Sequence, residues 1–207
     1  DTVTVATITV SATQFTDYTI TGQWAAGWRD LHIDFLNPYS GGTCGDRWLL
    51  LDRVDAISKP AYYVDAVAGL DSNAGTSPGA AWKTIGKVNS RALVAGETVL
   101  FKRGQTFTVP AGQPGQVTSA LVADNAGVTY GAYGEGALPI IDGGGDYYPI
   151  DVTAASVTVQ DLQAQNAGRA DQIGVVVRGT DALLQRITAR GNAIGVQAMN
   201  GADRMRL

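Results

Sequence analysis

Asn37 and Asp46 bracket a loop of turn-formers, NPYSGGTCGD, set between two apolar stretches. Their side-chain oxygens, with the backbone carbonyls between Tyr39 and Gly45, are the hard donors that Ca²⁺ takes in sets of roughly six to eight. The same Asp46 carboxylate could instead accept from backbone N–H groups in a salt-bridged turn, and the residues alone leave both uses open. Trp24, Trp28, Tyr39 and Trp48 lie in or near this stretch. An aromatic ring exposed beside a polar loop can stack on the apolar face of a sugar, while core packing is its other ordinary use. Asp65, Asp71 and Asn73 form a second oxygen-rich loop with the same ambiguity, Asx-turns being the alternative to a ligand role.

A second set of charges falls late in the chain, where Asp161, Arg186, Asp171 and Arg178 are candidates for catalysis, with Asp151 and Arg169 close by in sequence. Lyase chemistry needs a cation near the substrate carboxylate and a base for the α-proton. Hydrolysis needs two carboxyl groups roughly 5 to 9 Å apart. Solvated surface charges would explain the same residues. His32 is the only histidine, and no Ser-His-Asp set, zinc-spaced cluster or phosphate loop is present.

The elements that must position these residues have two textures. Residues 1–57 alternate as short antiparallel strands: VTVATITV, FTDYTI, DLHIDFLN and RWLLLDRVD. This reads as a small β-sandwich-like module too slight to bury much alone. Residues 58–207 begin with a helix expected near 81–93, where Trp82, Ile85, Val88 and Leu93 approach helical spacing. After Val128 short strands recur. VTVQDLQAQN (157–166) and LLQRITARGN (183–192) align with a shift of 25, matching Val159 to Leu184, Gln160 to Gln185 and Ala164 to Ala189. IGVVVRG and IGVQAMNG align with a shift of 21, and GTDALL with GADRMR at 22. Repeats of this length with several short strands each indicate a β-solenoid, whose coils must stack to bury their inward Val, Ile and Leu. Residues one period apart then lie one above another at about 4.8 Å per coil, which puts Asp161 over Arg186.

Composition sets the limits. Of 207 residues 45% are hydrophobic and 16% charged, enough for a real core. The 26 glycines are scattered, as many tight turns require. A net charge of -4 without clustered Lys and Arg argues against nucleic acid as a partner. No run approaches the ~18 apolar residues of a membrane span. The lone Cys44 has no internal partner, so it is either a small buried side chain or an intermolecular bridge.

The stretch YYVDAVAGLDSNAGTSPGAAWKTIGKVN, followed by GETVLFKRG, PIIDGGG and VTVQDLQAQNAG, resembles the right-handed parallel β-helix proteins of the pectate-lyase-like superfamily. The resemblance covers about residues 60–207. It implies an all-β, right-handed parallel β-helix with an N-terminal capping helix, in an extracellular carbohydrate-active protein, most often a polysaccharide lyase or glycoside hydrolase. DFLNPYSGGTCGDRWLLLDRVD is similar to the calcium-dependent xylan-binding modules of secreted enzymes, keeping Phe35, Asn37, Asp46, Arg47, Leu49 and Asp52. That similarity implies calcium held by Asn37, Asp46 and Asp52, its shell completed by sugar hydroxyls; by their residue type and position, Tyr39, Trp48 and Trp28 are the candidate sugar-stacking rings. Pro38 stands where that family has Asp and Trp48 where it has Asn, which removes a ligand and a charge. The module looks truncated at its amino end, and the solenoid stops inside what looks like another coil.

The expectation is a secreted protein that binds, and if active cleaves, a polysaccharide. The competing expectation is an extracellular structural subunit that self-assembles through its incomplete ends or Cys44.

Overall fold

The computed structural model describes residues 59–109, 119–168, 171–199 and 201–207, all within a compact unit that starts at Arg53. The front module, with Asn37, Asp46, Asp52, Tyr39, Trp48, Trp28 and Cys44, lies outside the described residues.

Thirteen short strands occur among the described residues, and every pairing between them is parallel. Sheet A stacks β1 (Ala61–Val64), β2 (Thr98–Lys102), β5 (Thr129–Tyr133), β8 (Thr158–Gln160) and β11 (Leu183–Gln185). Sheet B stacks β3 (Thr106–Thr108), β6 (Ile140–Asp142), β9 (Gln163–Gln165) and β12 (Thr188–Arg190). Sheet C stacks β4 (Ser119–Ala123), β7 (Tyr148–Val152), β10 (Ile173–Val177) and β13 (Ile194–Ala198). The chain visits A, B and C in turn and then rises one layer, so each circuit is a coil of a parallel β-helix. Coil 1 starts at β2, coil 2 at β5, coil 3 at β8 and coil 4 at β11.

The core is made of vertical stacks. Val99, Tyr130, Val159 and Leu184 succeed one another up sheet A, all buried. Leu121, Ile150 and Val175 do so up sheet C, and Phe107, Ile141 and Ala164 up sheet B. A coil alone would leave these side chains in water, so stability comes from neighbouring layers. The shift of 25 between Val159 and Leu184, and that of 21 between Ile173 and Ile194, are the observed registers. The shift of 22 expected for GTDALL is off by one. Leu183 bridges Arg206, a step of 23, because the corner between them is one residue longer than the matched letters imply.

The capping helix is shorter than expected. Trp82 is not helical: it makes a parallel bridge to Val64 and lies under Tyr62, ring on ring at 4.7 Å. The helix α1 spans Ile85–Asn89 only, after a 3₁₀ turn at Pro78–Ala80. Thr84 caps its start by accepting from Lys87 N, and the Ser90 N–H closes its end on Gly86 and Val88 carbonyls. Trp82, Ile85 and Val88 are all buried over the first layer, which covers the end of the stack.

Candidate functional site

The turn from sheet A to sheet B holds a left-handed residue in each coil: Gly104, Gly134, Asp161 and Arg186, with φ of 76°, 77°, 55° and 51°. Glycine adopts this conformation freely, and L-residues visit it at a cost. Asp161 and Arg186 occupy it while facing each other across one layer. Arg186 donates through Nε and Nη2 to the two Asp161 oxygens, both at 2.7 Å. Arg103, from coil 1, reaches the same carboxylate at 3.6 Å. The Arg186 hydrogen bonds, opposed by partial burial and aided by both guanidinium charges, hold the Asp161 carboxyl below the ordinary carboxylate range.

Beyond this corner the outward residues of sheet B continue in rows. Thr106, Ile140, Gln163 and Thr188 form one, and Thr108, Asp142, Gln165 and Arg190 the next. Alternation decides which residues these are: Ile141 and Ala164 point to the core, so their flanks point out. The polar groups are joined sideways. Gln163 Nε2 donates to Gln165 Oε1 at 2.9 Å, and Gln165 Nε2 donates to Asp142 Oδ2 at 2.9 Å. Asp142 Oδ1 also accepts from Gly144 N at 2.7 Å and Asn166 Nδ2 at 3.0 Å. Above this network Gln163, Gln165, Asn166, Arg190 and Gly191 line an open concavity of about 270 Å³. With Gln160 stacked under Gln185 on the sheet A side, coils 3 and 4 present a wall rich in amides and charges, interrupted by Thr158, Leu183 and Thr188.

The four residues considered for catalysis do not share one cluster. Asp161 and Arg186 meet at the A–B corner. Arg178 pairs instead with Asp151 on sheet C, Nε to Oδ1 at 3.1 Å, and Ser119 Oγ donates to the other Asp151 oxygen at 3.0 Å. Asp171 accepts from the Tyr148 hydroxyl at 2.7 Å. Arg169 lies outside the described residues. In the second oxygen-rich loop Asp65 makes an Asx-turn, whereas Asp71 and Asn73 tie the loop to the segment that leads into α1. Asp65 and Asp71 accept from backbone N–H groups at Val67, Ala68, Lys83 and Thr84, and Asn73 Nδ2 donates to the Ala81 carbonyl. Among the described residues no group of three or more His, Cys, Asp or Glu could hold a metal ion.

Arg103, Asp142, Gln165 and Arg190 were not among the residues singled out from the sequence. Gln165 and Arg190 carried a signal, since both fall in the aligned QDLQAQN and QRITARG segments at outward positions. Arg103 carried none, because its contact spans two layers whose turns differ in length.

The parallel β-helix is a fold this chain shares with solved enzymes. A GH136 lacto-N-biosidase from Eubacterium ramulus superposes with a TM-score of 0.52 at 21% identity, over 69% of this chain and 30% of that one. Its selenomethionine derivative gives 0.52 at 23%, over 70% and 29%. A rhamnogalacturonan lyase gives 0.46 at 21%, over 64% of this chain and 37% of that one. The chain thus spans about a third of the length of these structures. Neither a protein-family model nor a curated protein sequence matches it. No helix among the described residues is long and apolar enough to cross a membrane.

Proposed function

We propose that this chain belongs to a secreted carbohydrate-active protein whose β-helix binds a polysaccharide along the wall of sheets A and B. The observation that carries the reading is the set of outward amides and charges on coils 3 and 4, Gln160, Gln185, Gln163, Gln165 and Arg190, with the concavity that the last three line together with Asn166. Planar amide and guanidinium groups offer paired donors and acceptors that suit neighbouring sugar hydroxyls. Rows repeating every layer suit a ligand that itself repeats. The likeness in fold to a lacto-N-biosidase agrees with this reading.

Binding is better supported than cleavage. Asp161 is held ionised by two arginines, and Asp142 accepts three hydrogen bonds. Neither carboxylate is placed to give a proton to a leaving group.

Affinity electrophoresis against a panel of neutral and acidic polysaccharides tests the proposal, with reducing-end and ultraviolet assays for cleavage on the same panel. Retardation by at least one polymer is expected, and it should fall about tenfold when Gln163, Gln165 and Asn166 are all replaced by Ala. Absence of retardation by every polymer, or full retention of binding by that folded triple variant, would overturn it.

A further inference from the structure

We infer that Tyr63 and Tyr133 form an oxidative cross-linking site, a phenol pair on the outside of sheet A whose coupling to dityrosine clamps β1 to β5. Glycan binding plays no part in this reaction.

The two rings come from strands that are not neighbours. β2 lies between β1 and β5 in sheet A, with Leu100 beside Tyr63 and Lys102 beside Tyr133. Tyr62 and Val64 are buried toward the core, so Tyr63 points out. Phe101 is buried in the same way, so Lys102 and its neighbour Tyr133 also point out. Both tyrosines are half-buried, and they meet over β2, edge to face, with ring centroids 5.0 Å apart. Among the described residues this is the one contact between two tyrosine rings.

Packing explains the rings but not the Tyr133 hydroxyl. Its oxygen is screened from solvent and has no hydrogen-bond partner. A phenylalanine would pack the same ring without the cost of an orphaned polar atom. No ligand reaches an atom so enclosed. Burial, helped by the Asp65 charge, pushes the phenol up to about 12, so it does not act as an acid near neutrality. What a phenol keeps over a phenyl ring in such a place is ease of one-electron oxidation.

The oxidant is hydrogen peroxide acting through a haem peroxidase. Each phenol gives up one electron and one proton, and the peroxide takes both pairs to become two waters. The two phenoxyl radicals join through ring carbons ortho to their oxygens. The hydrogens on those carbons then move to the oxygens, which restores two phenols and leaves the protein two hydrogens lighter. Ring radii of about 1.4 Å and a carbon–carbon bond of about 1.5 Å put the centroids of a coupled pair about 4.3 Å apart. The observed 5.0 Å is close to that. The remaining change is for one ring to turn edge-on to the other, a rotation open to a half-buried side chain.

The test treats the full chain, dilute enough to stay monomeric, with a haem peroxidase and hydrogen peroxide. Monomer recovered by size exclusion should show dityrosine fluorescence and, by tandem mass spectrometry, a peptide pair joined at Tyr63 and Tyr133 and two hydrogens light. Its thermal midpoint should rise by about 5 °C or more, because the bond closes a long loop of the unfolded chain. Tyr63→Phe and Tyr133→Phe should each abolish this link, while Tyr147→Phe, at a tyrosine outside the pair, should keep it. Untreated Tyr133→Phe should melt no lower than the parent, since it sheds only an orphaned hydroxyl. Absence of the linked pair, equal yield from denatured protein, loss of the link in Tyr147→Phe, or a linked monomer no more stable than the parent would overturn the inference. So would an untreated Tyr133→Phe that melts lower, because the hydroxyl would then already be in structural use.

Discussion

Asp65 is buried, with 2% of its side chain exposed, and it is charged. Burial would raise its pKa, but four donors outweigh that: Ala68 N, Lys102 Nζ, Gln105 Nε2 and Val67 N, at 2.7 to 3.0 Å. The carboxyl is held far below the ordinary carboxylate range, and through it the cap loop is tied to the first coil. Replacing it with Ala orphans these donors and should cost about 3 kcal/mol of unfolding free energy in a denaturant titration. The sign of the pH dependence follows from the lowered pKa. The folded state binds its proton less readily than the unfolded state, so the stabilisation is full above the unfolded value near ~3.9 and is lost as pH falls below it. The difference in stability between parent and Asp65→Asn should therefore be constant at neutral pH and shrink in acid. A difference that grew in acid would refute this account. At this scale the sequence was partly legible. Asp161 over Arg186 followed from one period, and the Asx-turn alternative for Asp65 from its place in VDAVAG. The sequence does not show which partners a charge will find across layers, as with Lys102 for Asp65 and Arg103 for Asp161, because those depend on turn geometry.

Corners are the elements under most constraint. Strands of three to five residues alternate with turns in which the chain must bend within one or two residues. Ser156, Asp181 and Arg204 take left-handed φ of 57°, 55° and 53° two residues before each sheet A strand or bridge, where coils 1 and 2 use Gly96 and Gly127. Charge offsets part of that backbone cost, since Arg204 binds both Asp181 oxygens as Arg186 does those of Asp161. Gly179 meets a different limit. A Cβ there would lie 1.8 Å from the Ala154 carbonyl oxygen of the coil below. Gly179→Ala should destabilise by about 3 kcal/mol, because backbone rather than a flexible side chain stands in the way. Gly79→Ala, whose Cβ would meet nothing within 4 Å, should be close to neutral in the same thermal melt. Equal melting temperatures for the two variants would show that the layers can part at this corner. The short helix and the one-residue slip before Leu183 belong to this scale too. Trp82 had helical spacing from Ile85, but a bridge to Val64 captured it, and letter matching cannot count a corner that gains a residue.

For the whole molecule, the consequence of stacking is that a coil is a unit that can be removed. Sheet A steps by 31, 29, 25 and 23 residues from Thr98 through Thr129, Thr158 and Leu183 to Arg206. Deleting residues 158–182 removes one circuit: Leu183 then follows Val157, β11 takes the place of β8 on β5, and β13 falls on β7. The inward set is preserved in kind, with Leu184 over Tyr130 and Val196 over Ile150 where Val159 and Val175 had been. Because each layer contacts mainly its neighbours, the shortened chain should fold and unfold in one transition. Its denaturant midpoint should be lower and its m-value smaller, in line with the area lost. The same deletion takes away Gln163, Gln165 and Asn166 but keeps Arg190, so polysaccharide retardation should vanish while the far-ultraviolet spectrum remains that of β-structure. The two readouts separate two claims. A deletion variant that aggregates or loses its β-spectrum would show that coil 3 is needed for more than its own layer. A folded variant that still binds would show that the glycan is held elsewhere in the chain, away from the wall of sheets A and B.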